Sequence, residues 1–228
     1  PITHKEGQGV RYTYVSPDGE EGYPGNLSIA VTYVLTEKDG LLIEYEATTD
    51  KATPINLTNH TYFNLSGAGA GSILDHLLTI HASKATERGE DGIPTGAIVS
   101  VAGTPLDFTT PKRIGADATD IDIPYDHNFV LDHGGSKQPK LSAEVYDAGS
   151  GRVLQLFTTE PGVQLYTSYY MEPTRGKGGT TYRQFHAFCL ETQHFPDSVN
   201  KPQFPSIILR PGETYRQITE YRFSTRNE

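Results

Sequence analysis

The chain has 228 residues, with 28 acidic against 19 basic side chains and a formal net charge of −9 at pH 7. That length suffices for one large buried core without forcing a second domain, and the acidic balance argues against nucleic acid, whose phosphates call for a basic stripe. No apolar run nears the roughly 18 residues of a spanning helix, no basic amphipathic run marks a membrane face, and one cysteine, Cys189, permits no internal disulfide.

The chain opens Pro1-Ile2-Thr3-His4-Lys5-Glu6, without Met and without the features of a signal peptide, so a processed, cleaved or truncated start is expected. Strand candidates rich in Val, Ile, Thr, Tyr and Phe then follow at 11–15, 27–36, 41–48, 53–65, 77–83 and 97–101. Further ones fall at 127–131, 141–147, 152–159, 163–169, 185–193, 206–209 and 213–223. Turn clusters such as Pro24-Gly25, Lys38-Asp39-Gly40 and Arg210-Pro211-Gly212 separate them. No apolar pattern of helical period is sustained. Many short strands without helices predict an all-β sandwich or barrel, read as a single domain over residues 1–228. The stretch 84–126 reads as the longest irregular region, including Ala116-Asp117-Ala118-Thr119-Asp120-Ile121-Asp122. Four Asn-x-Ser/Thr sequons, at Asn26, Asn56, Asn59 and Asn64, read as chance matches in a chain expected in the reducing cytoplasm.

Four segments carry chemistry. If 53–65 is one strand, one face shows Asn56, Thr58, His60, Tyr62 and Asn64, and the other Leu57, Asn59, Thr61, Phe63 and Leu65. A polar row of this kind suits either a face that holds a hydroxyl-rich ligand or an ordinary solvated sheet face. In Phe188-Cys189-Leu190-Glu191-Thr192-Gln193, Glu191 lies within an apolar strand, a position that calls for a partner or a function. Pro124-Tyr125-Asp126-His127-Asn128-Phe129 brings a polar cluster into a strand, and Gly162-Val163-Gln164-Leu165-Tyr166-Thr167-Ser168 points Gln164, Tyr166 and Ser168 one way. The eight His residues show no metal-ligand spacing, and there is no EF-hand loop, nucleophile elbow or phosphate loop. No metal and no cofactor are expected.

Together these segments resemble the aldose 1-epimerase family. Thr58-Asn59-His60-Thr61-Tyr62-Phe63-Asn64-Leu65 is similar to its signature block, and Ser16-Pro17-Asp18-Gly19-Glu20-Glu21-Gly22-Tyr23-Pro24-Gly25 to an earlier turn. Asp126-His127-Asn128-Phe129, Gly162-Val163-Gln164-Leu165-Tyr166-Thr167, Leu190-Glu191-Thr192-Gln193 and Pro205-Ser206-Ile207-Ile208-Leu209-Arg210-Pro211-Gly212-Glu213 resemble later blocks in the right order. The resemblance implies a large antiparallel β-sandwich of the galactose mutarotase-like type that needs no cofactor. It implies Glu191 as general base, His60 as general acid, and Asp126 and Gln164 as ligands of sugar hydroxyls; Asn59 and Tyr62 complete the candidate binding set. It also implies an N-terminal region, with a second active-site His and an Asn-Arg pair, that residues 1–6 do not match. A covering segment or self-association is therefore expected.

The implied chemistry is a pair of proton transfers. A carboxylate takes the O1 proton of a cyclic sugar, an imidazolium donates to the ring oxygen, and the opened chain rotates before reclosing. A nearby carboxylate such as Asp126 would favour the charged form of His60. Three other readings remain: a non-catalytic sugar-binding module; a hexose-6-phosphate 1-epimerase using Arg88, Lys112 or Arg113; and a β-sandwich polysaccharide lyase or hydrolase, the hydrolase pairing Glu191 with Asp126.

Overall fold

A computed structural model describes residues 1–117 and 125–226. In chain order its strands are β1 (Ile2–His4), β2 (Gly7–Ser16), β3 (Leu27–Thr36), β4 (Gly40–Thr49), β5 (Thr53–Pro54) and β6 (Leu77–Ile80). Next come β7 (Lys84–Arg88), β8 (Pro94–Ser100), β9 (Lys112–Arg113), β10 (Asp126–Val130), β11 (Lys140–Asp147) and β12 (Arg152–Thr158). The last six are β13 (Gly162–Tyr166), β14 (Thr174–Arg175), β15 (Thr181–Tyr182), β16 (Cys189–Gln193), β17 (Ile208–Leu209) and β18 (Tyr215–Thr225). Among the described residues the helical pieces are three short 3-10 turns, and no helix is long and apolar enough to cross a membrane.

Two antiparallel sheets dominate. The larger has nine strands in the order β1-β2-β3-β4-β18-β12-β11-β6-β9, and the smaller has five in the order β16-β13-β10-β7-β8. Alternation drives both. In β3, Ile29, Val31 and Tyr33 turn to the core beside Ala47, Tyr45 and Ile43 of β4, while Ala30, Thr32 and Val34 lie on the opposite face. In the smaller sheet Ala85, Phe129, Val163, Leu165 and Leu190 are buried in one core cluster with Ile43, Leu78, Leu154 and Tyr221 of the larger sheet. Each large apolar side chain so buried contributes roughly 1.5–3 kcal/mol. The sandwich expected from the strand count is thus formed.

Register leaves a polar row on the other face of the smaller sheet. Gln164 lies opposite both Asn128 and Glu191, and Tyr166 opposite both Asp126 and Cys189. Residues directly paired across a ladder share a face, so these six side chains project from one side.

Two expectations fail. Residues 53–65 do not form one strand: β5 ends at Pro54, and beyond it only Phe63 bridges to Phe188. Side-chain amides take over the backbone pairing there. Asn56 exchanges two 3.0 Å hydrogen bonds with the His194 backbone, and Asn64 Nδ2 donates to the carbonyls of Gly71 and His186. Nor is 84–126 irregular throughout. It supplies the hairpin β7–β8, which forms one side of the smaller sheet, and the short β9. The later part of its acidic run, residues 118–124, lies outside the described residues.

One edge is left open. β1 pairs with β2 only at Gly7–Gly9, whereas β3 pairs along all of β2. Tyr12, Tyr14 and Val15, beyond the reach of β1, are each more than half exposed.

Candidate active site

The polar face of the smaller sheet is the floor of a cleft of about 390 Å³ lined by His60, Tyr62, Asp126, Gln164, Tyr166, Tyr170, Glu191, Gln193 and Pro196. Glu191 reaches it because β16 alternates: Leu190 and Thr192 turn to the core, while Cys189, Glu191 and Gln193 turn to the cleft side. His60 arrives from the irregular segment, pinned on one side by the Asn56–His194 bonds and on the other by the Phe63–Phe188 bridge. Its Nε2 lies 3.3 Å from Glu191 Oε1. The Glu191 side chain is 11% exposed and the His60 side chain 48%, so the pair has a buried member and an open one.

Burial, and then the negative charge of Asp126, push the Glu191 carboxyl up to about 7. A base with that value is divided between its two forms near neutral pH, which suits a group that must take and return a proton. The carboxylate beside His60 is that of Glu191, not Asp126 as the sequence suggested. Asp126 is instead held by an amide relay: Gln193 Nε2 donates to Gln164 Oε1 at 3.4 Å, and Gln164 Nε2 to Asp126 Oδ1 at 2.8 Å.

Aromatic rings form the wall. Tyr62 stacks on the His60 imidazole at 4.9 Å, Tyr166 meets that imidazole edge-on at 5.8 Å, and Tyr170 stacks on Tyr166. Burial raises the Tyr62 and Tyr166 phenols, keeping them as neutral hydroxyls able to donate. Beneath, Gly162 is required by space: a Cβ there would sit 2.8 Å from Asn128 Oδ1 and 3.0 Å from the Phe195 ring. A second hollow of about 440 Å³ adjoins across Tyr62, but no carboxylate lines it, so the acid–base chemistry belongs to the first.

Of the six candidate residues, five line the cleft: Glu191, His60, Asp126, Gln164 and Tyr62. Asn59 does not. It is buried, and its Oδ1 accepts from Thr61 Oγ1 at 3.1 Å and from the Tyr221 hydroxyl at 2.9 Å. The Tyr221 hydroxyl also lies 2.7 Å from the Leu190 carbonyl, so one buried proton is shared between the residue before His60 and the residue before Glu191. The basic residues considered for a phosphate are elsewhere. Lys112 binds Asp117 and the Pro105 carbonyl, Arg113 lies beside Asp75, and neither they nor Arg88 line the cleft.

Sequence reasoning did not anticipate Tyr170, whose segment leaves the ladder after Tyr166 and turns at Ser168, a residue at a positive φ of 50°. It also did not anticipate a group of metal-capable atoms. His60, Cys189 and Glu191 offer a nitrogen, a sulfur and an oxygen within 4.8 Å of one another, although no spacing in the sequence hints at it.

Comparison with known proteins follows the same lines. The profile of the family described as Aldose 1-epimerase matches residues 2–222. Galactose mutarotase of Rattus norvegicus is 48% identical over 218 residues, and that of Homo sapiens 47%; each match covers 95% of this chain and 63% of the relative. Aldose 1-epimerase of Escherichia coli K12 is 37% identical over 229 residues, covering 97% of this chain and 66% of its own. The chain thus spans about 63% of the length of the mutarotases it matches. Among solved structures, an aldose epimerase homologue from C. elegans superposes with a TM-score of 0.88 at 31% identity, covering 100% of this chain and 68% of its own. A galactose 1-epimerase from Lactobacillus acidophilus superposes at 0.83 with 30% identity, covering 100% and 66%.

Proposed function

Because this chain belongs to the aldose 1-epimerase family, we propose that it interconverts the α and β anomers of a free hexose such as glucose or galactose. The observation that carries the reading is the 3.3 Å approach of His60 Nε2 to Glu191 Oε1 in an open polar cleft. Glu191 takes the proton of the anomeric hydroxyl and His60 gives one to the ring oxygen. The ring opens to the aldehyde, the C1–C2 bond rotates, and the two transfers run in reverse on the other face of C1. Each well-placed acid or base contributes about 10²–10⁴-fold. Asp126, Gln164 and Tyr62 hold hydroxyls and the sugar face while this happens. Neither metal nor cofactor has a part in the scheme.

The same proposal places the chain in the cytoplasm, where a buried free Cys189 stays reduced. It also has the exposed β2 edge covered, by a further segment or by a second copy. A phosphorylated hexose is disfavoured by the lack of a lysine or arginine among the cleft-lining residues. A binding module without catalysis is the competing reading.

Polarimetry of freshly dissolved α-galactose or α-glucose decides between them. Acceleration of the optical change by the wild-type chain, abolished in Glu191→Gln and His60→Asn, is the expected result. Saturable sugar binding with no acceleration would establish the binding module instead.

A further inference from the structure

Cys189 is a buried thiol that the proton transfers do not use, yet it stands on the cleft side of β16 two residues before Glu191. We propose that His60, Cys189 and Glu191 form a binding site for a borderline-soft divalent cation of the Zn²⁺ type, occupied in competition with the sugar. The competition clause rests on the proposed roles of His60 and Glu191; the cation site does not.

The geometry supplies the argument. The three ligand atoms lie within 4.8 Å of one another, and His60 Nε2 is 3.3 Å from Glu191 Oε1. A tetrahedral ion with bonds of about 2.0–2.3 Å holds its ligand atoms roughly 3.3–3.8 Å apart. The set therefore lies within about 1 Å of that spacing, a gap that side-chain rotation closes without moving the sheet. Nitrogen, sulfur and oxygen together select a zinc-like ion, whereas Mg²⁺ and Ca²⁺ demand oxygen alone. The open cleft leaves a fourth position to water. On binding, the ion replaces the thiol proton, which is released to solvent. Its charge then occupies the place where a sugar would approach His60 and Glu191.

Co²⁺ titrated into the full chain is the direct probe, because a cobalt–thiolate bond gives a charge-transfer absorption that oxygen and nitrogen ligands do not. We expect that absorption in the wild type, its displacement by Zn²⁺, its weakening by added galactose, and its loss in both Cys189→Ala and Cys189→Ser. Zn²⁺ should inhibit mutarotation by the wild type, while Cys189→Ala keeps its basal rate and needs about 100-fold more Zn²⁺ for the same inhibition. No thiolate absorption, or one unchanged in Cys189→Ala, overturns the site. A cobalt–thiolate absorption lost in Cys189→Ala, with mutarotation undiminished while the ion is bound, upholds the cation site. That outcome overturns the competition and removes His60 and Glu191 from proton transfer.

Discussion

Glu191 is pushed up to about 7, by burial first and by the Asp126 charge second. Its titration therefore moves activity and stability in opposite directions. Catalysis needs the carboxylate, so the rate should rise with pH through about 7. Stability follows the other sign. In the folded chain the group holds its proton above the ordinary carboxyl value of 4.5, so its contribution is full below that value and is lost as pH rises through about 7. Replacing Glu191 by Gln removes both dependences. Mutarotation should fall by about 10²–10⁴-fold, while thermal stability at about pH 8 should exceed that of wild type, by up to about 3 kcal/mol. Polarimetry and paired melting curves on either side of neutrality check this, and a Glu191→Gln chain less stable than wild type at the higher pH would contradict it. Asp126→Asn isolates the second cause. Its acid limb should shift to lower pH, an effect separable from the weaker sugar affinity that loss of a hydroxyl partner brings. A limb that stays in place would show that burial alone sets the Glu191 value.

At the scale of elements, the site depends on how an irregular segment is registered against a strand. The Tyr221 hydroxyl, carried on β18 of the larger sheet, crosses the core to Asn59 Oδ1 and the Leu190 carbonyl. It thereby ties the backbone behind His60 to that behind Glu191. Tyr221→Phe should cost about 1–2 kcal/mol of stability. It should also lower kcat with little change in KM, because the acid–base spacing loosens while the sugar contacts stay. A variant with the lower melting point but wild-type kcat would reduce Tyr221 to a structural role. The same bonds explain what could be read in advance. Glu191, Gln164 and Asp126 were legible because they sit on regular strands, where alternation fixes the face. Asn59 was misplaced in the cleft against alternation, which set it on the face opposite His60 and Tyr62, the side on which it is buried; the path of 53–65 is set by side-chain amides, invisible to periodicity. Strands β7 and β8 were under-read because Gly89, Gly92 and Pro94 punctuate a short hairpin that tertiary pairing with β10 completes. The approach of Cys189 and Glu191 to His60, within 4.8 Å, arises from juxtaposition of two segments remote in sequence, which no spacing rule records.

For the whole molecule, the open edge of β2 sets solution behaviour. Tyr12, Tyr14 and Val15 stand more than half exposed on a stretch with one hydrogen-bonded neighbour, and unpaired, weakly charged edges invite pairing. The isolated chain is expected to self-associate, and Tyr14→Lys with Val15→Lys should shift it toward monomer without lowering mutarotation per chain. Light scattering across a concentration series checks this; a monodisperse monomer in the unmodified chain would show the edge to be harmless. A different consequence follows from strand order. β4 is flanked by β3 on one side and by β18 on the other, and β5 finds its partner in β17. The early hairpin must therefore wait for the last stretch of chain before its second row of backbone groups is satisfied. At ordinary synthesis rates that wait is roughly ten to thirty seconds. Through it, a flat apolar ribbon is displayed to the ribosome's surroundings. Such non-local closure makes folding slow. A chain cut just before Tyr215 should not yield a smaller sandwich; it should remain on chaperones or aggregate, although every residue of the cleft is still present.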